Sequence, residues 1–155
     1  MYETVIWATD GSDGADAALE EALRLASLSG GHLVAVHCDQ RLNGRAGGWP
    51  ALADEVDLRL KIRRQVEELK TDGVDIDLVI RPSHREAADM VAAVAAELDA
   101  DAIVCGTRGV SAFAGAVLGS FTQRLLHIAP CPVLAVGPRS ELNAVLHHAS
   151  TRAGA

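Results

Sequence analysis

Apolar residues fall along this chain in short runs that alternate between two periods. Thr4-Val5-Ile6-Trp7-Ala8-Thr9 is nearly continuous in apolar character, as a strand covered on both faces should be, and stops at the turn cluster Asp10-Gly11-Ser12. Ala15, Ala18, Leu19, Ala22, Leu23, Leu25 and Ala26 then recur at helical spacing. Ser12 or Asp13 can cap that helix, and Gly30-Gly31 ends it. The same alternation continues. His32 to Cys38 reads as a second buried strand, about Leu52 to Lys70 as a helix, and Val74 to Ile80 as a third strand. Glu86 to Leu98 reads as an alanine-rich helix, Asp101 to Cys105 as a fourth strand, 120–129 as a helix, and Pro132 to Val136 as a fifth strand. Asp75 and Asp77 alternate with apolar neighbours, so the third strand is expected at a wetted sheet edge.

Five strands alternating with four helices predict an α/β fold: an open, doubly wound parallel sheet with helices on both faces and right-handed crossovers. Sheets of this kind commonly start in the middle, run outward and reverse. The expected strand order is therefore 3-2-1-4-5, with the first and fourth strands adjacent. The length of 155 residues fits one domain, placed at 1–140, with 141–155 as a C-terminal tail.

Composition narrows the function. Half of the residues are apolar but only 3% are aromatic, which suits close helix–sheet packing rather than a base-stacking surface; Trp7 and Trp49 are too few for one. A net charge of −7 argues against nucleic acid or an anionic membrane as the main partner. Cys38, Cys105 and Cys131 are widely spaced in strand-like contexts, as expected of buried thiols in a reducing cytosol. No signal-peptide pattern opens the sequence and no apolar run nears the ~20 residues that span a bilayer, so the expectation is a soluble, cytoplasmic protein. The dense charges of 54–68 read as a solvated helix face, and His37 as a packed histidine. No HExxH pattern or zinc-spaced cluster is present.

Residues 106–120, GTRGVSAFAGAVLGS, stand apart. Four glycines in fifteen positions make the stretch too glycine-rich for a helix or strand, and its apolar content is high for a surface loop. Loops of about a dozen residues are uncommon in compact domains and are usually functional. In open α/β sheets ligands lie beyond the carboxyl ends of the strands at the reversal point, where this loop would meet Ala8-Thr9-Asp10-Gly11-Ser12. Gly106 and Gly109 would let the backbone press against a sugar or phosphate. Gly119-Ser120 opens a helix whose free N–H groups and dipole suit a phosphate, with Ser120 and Thr122 adding hydroxyls. Neither GxxxxGK[ST] nor GxGxxG occurs.

Gly106-x2-Gly109-x9-Gly119-Ser120 resembles the G-2x-G-9x-G-[S/T] signature of the universal stress protein family, in its ATP-binding branch. Val5 to Ser12, Ala102 to Gly109 and Ile128 to Val136 resemble the first strand and the last two strands of that family, and the similarity covers about residues 2–137. The resemblance implies an ATP site at the reversal point. Asp10 would face the ribose, supported by the backbone of Ala8 and Thr9, and Cys38 would contact adenine through its main chain. Gly106, Arg108 and Gly109 would line the ribose and phosphates. Gly119, Ser120, Phe121 and Thr122 would hold the phosphate tail, with Mg or Mn as a candidate companion. It also implies a homodimer paired through the fifth strand, Cys131 to Val136. The sequence departs from the family where Arg81-Pro82-Ser83-His84-Arg85 lacks a glycine and where Cys38 replaces a common valine. With no P-loop lysine and Asp10 as the one obvious acid, the function implied is a nucleotide-dependent stress-response sensor or regulator with slow hydrolysis at most. The alternative is a nucleotide-independent dimeric interaction module. A small adenylate-forming or amino-transfer enzyme of the same broad fold is disfavoured, because HIGH-like and SGGxDS-like loops are missing after the first strand.

Overall fold

A computed structural model describes residues 1–39, 50–82, 86–108 and 118–137. Gly109, the middle of the 106–120 loop, Trp49, Ser83 to Arg85 and the tail lie outside them. The elements are β1 (Thr4–Ala8), α1 (Asp13–Ser27), β2 (His32–Asp39), α2 (Pro50–Thr71), β3 (Ile76–Pro82), α3 (Ala87–Glu97), β4 (Ala102–Gly106), α4 (Ser120–Ile128) and β5 (Val133–Val136). All four strand pairings are parallel, and the order is β3-β2-β1-β4-β5. The expected architecture and strand order are therefore those of the protein.

The alternation along each strand explains the layers. Val5, Trp7, Leu33, Ala35 and Val104 point to one face and pack on Ala18, Ala22 and Ala26 of α1 and Val66 of α2. Ile6, Ala8, Val34, Val36, Ile103 and Cys105 point to the other, against Val91, Val94 and Ala95 of α3 and Leu125 of α4. Central strands buried on both faces have no polar side to show, hence the continuous apolar runs. Alanines on α1 let that helix lie close to the sheet, and Trp7 fills the space beneath its first turn, its Nε1–H donating to Ala15 O at 2.9 Å.

The third strand lies two residues later than its apolar pattern suggested. Gly73 (φ +87°) and Val74, whose N–H donates to Leu69 O, close the end of α2. The ladder begins where Leu33 N meets Asp75 O and runs to Asp39 opposite Pro82. Pro82 is tolerated because β3 is an edge. At the opposite end of the sheet, the Asp101 carboxylate accepts the N–H groups of Glu3 (2.7 Å) and Thr4 (2.9 Å), which holds its pKa below the ordinary value and ties the start of β1 to β4.

Candidate functional site

The turn that leaves β1 is built from its own polar side chains. Thr9 N donates to Val36 O, which continues the ladder by one residue, and Thr9 Oγ1 accepts from Gly11 N at 3.2 Å. Gly11 has φ +76°, a conformation that favours glycine. Asp10 Oδ1 accepts Ser12 N at 3.0 Å and also Ser12 Oγ, an Asx turn. Ser12 caps α1, accepting from Ala15 N. Asp10 is half-buried at the carboxyl end of β1, beside Ala8 and the buried Thr9.

The exit from β4 lies next to it. A Cβ on Gly106 would stand 2.7 Å from Gly14 O and 2.8 Å from Gly14 C; one on Gly14 would stand 2.6 Å from Arg108 O. The two glycines let the first turn of α1 lie directly on the end of β4. The missing side chain of Gly106 is thus explained by helix packing, a role that the sequence reading did not assign it. Thr107 N donates to Val136 O at 2.9 Å, and Thr107 O accepts Gly119 N at 2.8 Å. Thr107 and Gly119 are therefore fastened together.

Gly119 is the N-cap of α4 and, having no side chain, caps none of the first N–H groups of that helix. Ser120 is exposed, and Phe121 packs partly against the core. The Thr122 hydroxyl, expected as a further donor toward a phosphate, turns inward instead. It is buried and donates to Gly106 O at 2.9 Å, leaving the main-chain N–H as what Thr122 offers at the helix start. Arg108 is exposed at the mouth of the loop, and Cys38 is half-buried near the end of β2, opposite Arg81. The carboxyl ends of β1 and β4 thus gather Ala8, Thr9, Asp10, Gly106 and Arg108 beside Gly119, Ser120, Phe121 and Thr122.

Sequence reasoning missed the contribution of α2. Its charged face is not wholly solvated: Lys61 Nζ donates to Gly11 O and to Asp16 Oδ2, both at 2.7 Å, and Gln65 Nε2 donates to Asp16 Oδ1 at 2.9 Å. His37 is the packed histidine expected. Its Nδ1 lies 2.9 Å from Thr9 O and so carries a hydrogen, while Nε2 lies 2.7 Å from Glu55 Oε1. No spacing along the chain marks Lys61 as different from its charged neighbours; only the packing of α2 against α1 does.

Among the described residues no group of His, Cys, Asp or Glu is arranged to hold a metal ion, and no helix is long and apolar enough to cross a membrane. Cys105 is a core residue: burial pushes its thiol from 9.0 up to about 11, with a Thr122 hydrogen bond offsetting part of the shift. Only the thiolate reacts appreciably. Ellman's reagent at pH 8 should therefore leave Cys105 unmodified in the folded protein, and peptide mapping should find it labelled only after denaturation.

Comparison with known proteins places this geometry. The universal stress protein family matches residues 1–137. A Thermus aquaticus relative, "Universal stress protein in QAH/OAS sulfhydrylase 3'region", is 34% identical over 138 residues, covering 88% of this chain and 99% of its own. A universal stress protein crystallised in complex with cAMP is 26% identical with a TM-score of 0.66, covering 87% of this chain and 97% of that one. The universal stress protein from Archaeoglobus fulgidus in complex with dAMP is 25% identical with a TM-score of 0.65, covering 88% of this chain and 98% of that one. With its strand order, its paired glycine-bearing exits and a family match that runs from the first residue to the end of β5, this chain belongs to the universal stress protein family.

Proposed function

We propose that the chain binds ATP at the carboxyl ends of β1 and β4 and works as a nucleotide-dependent sensor or regulator in a stress response, within the cytoplasm. The observation that carries this reading is the meeting of the Thr9–Ser12 turn, the Gly106–Arg108 exit and the start of α4 at the reversal point of the sheet, where open α/β sheets take their ligands. Two relatives crystallised with adenylates support the class of ligand. In this reading Asp10 meets the ribose and the main chain of Cys38 meets adenine. Gly106, Arg108 and Gly109 follow the ribose and phosphates, and the N–H groups of Ser120, Phe121 and Thr122 take the phosphate tail with Mg or Mn.

A helix dipole contributes about 0.3–2 kcal/mol toward an anion, whereas micromolar affinity needs about −8 kcal/mol. The base and several backbone donors must therefore share the binding. No lysine of the P-loop kind precedes Ser120, so ATP hydrolysis is slow at most, below the usual enzyme range of about 1–10³ s⁻¹. Residues 1–140 form one domain with 141–155 as its tail. Two copies pair through β5, the outer strand of the sheet, on which Leu134 is 43% exposed.

Mass spectrometry of protein purified without added nucleotide, followed by calorimetry with ATP and Mg or Mn, tests the reading. Co-purifying adenylate, or saturable heat at micromolar to low millimolar nucleotide, is expected. An empty site with no heat and no thermal shift at millimolar ATP would replace the sensor with a nucleotide-independent dimeric module.

A further inference from the structure

We propose that α2 sets the affinity of the site from behind, through Lys61 and Glu55 as positioning residues that hold the Asp10 turn without touching ligand. The proposal rests on the nucleotide reading above. Asp10 lies between two peptide carbonyls, Thr9 O and Gly11 O, and each is gripped by a side-chain donor. His37 Nδ1 holds Thr9 O at 2.9 Å, and Glu55 of α2 stands behind the same ring at 2.7 Å from Nε2. Lys61 Nζ holds Gly11 O at 2.7 Å.

The Lys61 ammonium is also a junction. It bonds Asp16 of α1 at 2.7 Å, and Gln65, one helical turn on, bonds the other oxygen of the same carboxylate. Leu58, between Glu55 and Lys61 on α2, lies against Gly11 so closely that a Cβ there would stand 2.7 Å from Leu58 Cδ2. One helix therefore reaches the turn on both sides of Asp10 and over the glycine within it.

The physical need for such a grip comes from Gly11. A residue without a Cβ at φ +76° passes easily to other conformations, and each would rotate its carbonyl and re-aim the Asp10 carboxylate. An isolated exposed ion pair stabilises a fold little. An ammonium shared between a carboxylate and the carbonyl next to a ligand-facing residue instead restricts the free protein to the binding geometry, and restricting it beforehand lowers the ordering cost of binding. Besides Gly11 O this cation bonds Asp16 of α1, whose other carboxylate oxygen accepts from Gln65 of α2.

The test is Lys61→Met, which keeps the apolar stem and removes the donor, with Glu55→Ala as the second arm. Amide exchange is read by NMR in the nucleotide-free protein, and Kd for Mg-ATP by calorimetry. Lys61→Met should speed exchange at Gly11 and Ser12 and raise Kd about tenfold, 1.4 kcal/mol, with the melting temperature within about 2 °C of the parent. Glu55→Ala should act in the same direction. Lys61→Arg, whose fork can reach both acceptors, should restore most of the affinity. Arg81→Met, which breaks the exposed pair with Glu97 at the far edge of the sheet, should change neither readout. Unchanged exchange at Gly11 and Ser12, or faster exchange with an unchanged Kd, would overturn the proposal. Faster exchange in a protein whose parent binds no adenylate would uphold the grip on the turn and defeat the nucleotide reading instead.

Discussion

Replacing Gly106 with alanine is expected to destabilise the fold by about 3 kcal/mol, lowering the melting temperature by about 6–12 °C. One methyl group has this effect because of what it would meet. Its Cβ would stand 2.7 Å from Gly14 O, 2.8 Å from Gly14 C and 3.3 Å from Ala15 N, all backbone atoms of the first turn of α1. A flexible side chain could swing aside; a helix backbone moves only as a unit. Here the unit is anchored, since Trp7 Nε1 bonds Ala15 O from below and Ser12 caps the turn. Moving α1 away would also disturb Arg108 O, against which Gly14 rests. Conformational freedom is not the issue, because positive φ among the glycines with that feature falls at Gly11, Gly30 and Gly73. Urea and thermal melts of Gly106→Ala would check the prediction, and a melting temperature unchanged within about 2 °C would show that α1 can shift at little cost.

The companion substitution, Gly109→Val, should do the opposite. It is expected to raise the Kd for ATP at least about a hundredfold, 2.7 kcal/mol, while leaving the melt of the nucleotide-free protein nearly where it was. Gly109 lies outside the described residues, so the prediction follows from the proposed function: a branched side chain in a ligand-facing loop takes space that the phosphates need. Calorimetry of Gly109→Val beside the parent decides it. An unchanged Kd would mean that the phosphates do not pass this position. Gly119→Val should also weaken binding, and it should cost some stability as well, because Gly119 is the N-cap of α4 and valine is a poorer cap than glycine. If both results are found, two glycines three residues apart in one signature have separable roles, one holding a helix and the other clearing room for a ligand.

Much of the fold was legible because its causes are local. Ile6 and Trp7 are both apolar since one faces α3 and the other α1, and such a run occurs only in a strand covered on both sides. The strand ends were less legible. Val74 continues the apolar pattern of the third strand but serves to close α2, and nothing in its own chemistry distinguishes the two uses. The two segments of the candidate site and their glycine spacing could be read along the chain. Its supporting contacts were not, since Lys61 reads like any other charge on a solvated helix until the packing brings it to Gly11, fifty residues earlier.

By itself the sequence determined the alternation of strands and helices, the layers that this alternation feeds, and the two segments that meet at the centre of the sheet. Periodicity and turn chemistry act over a few residues and are written directly in the chain. The tertiary structure decided the meaning of individual groups within that frame. Gly106 yields to a helix, the Thr122 hydroxyl turns inward, and Lys61 and His37 hold the turn around Asp10. Each of these depends on atoms brought within 3 Å of one another from distant parts of the chain, and such closeness exists only once the layers have packed.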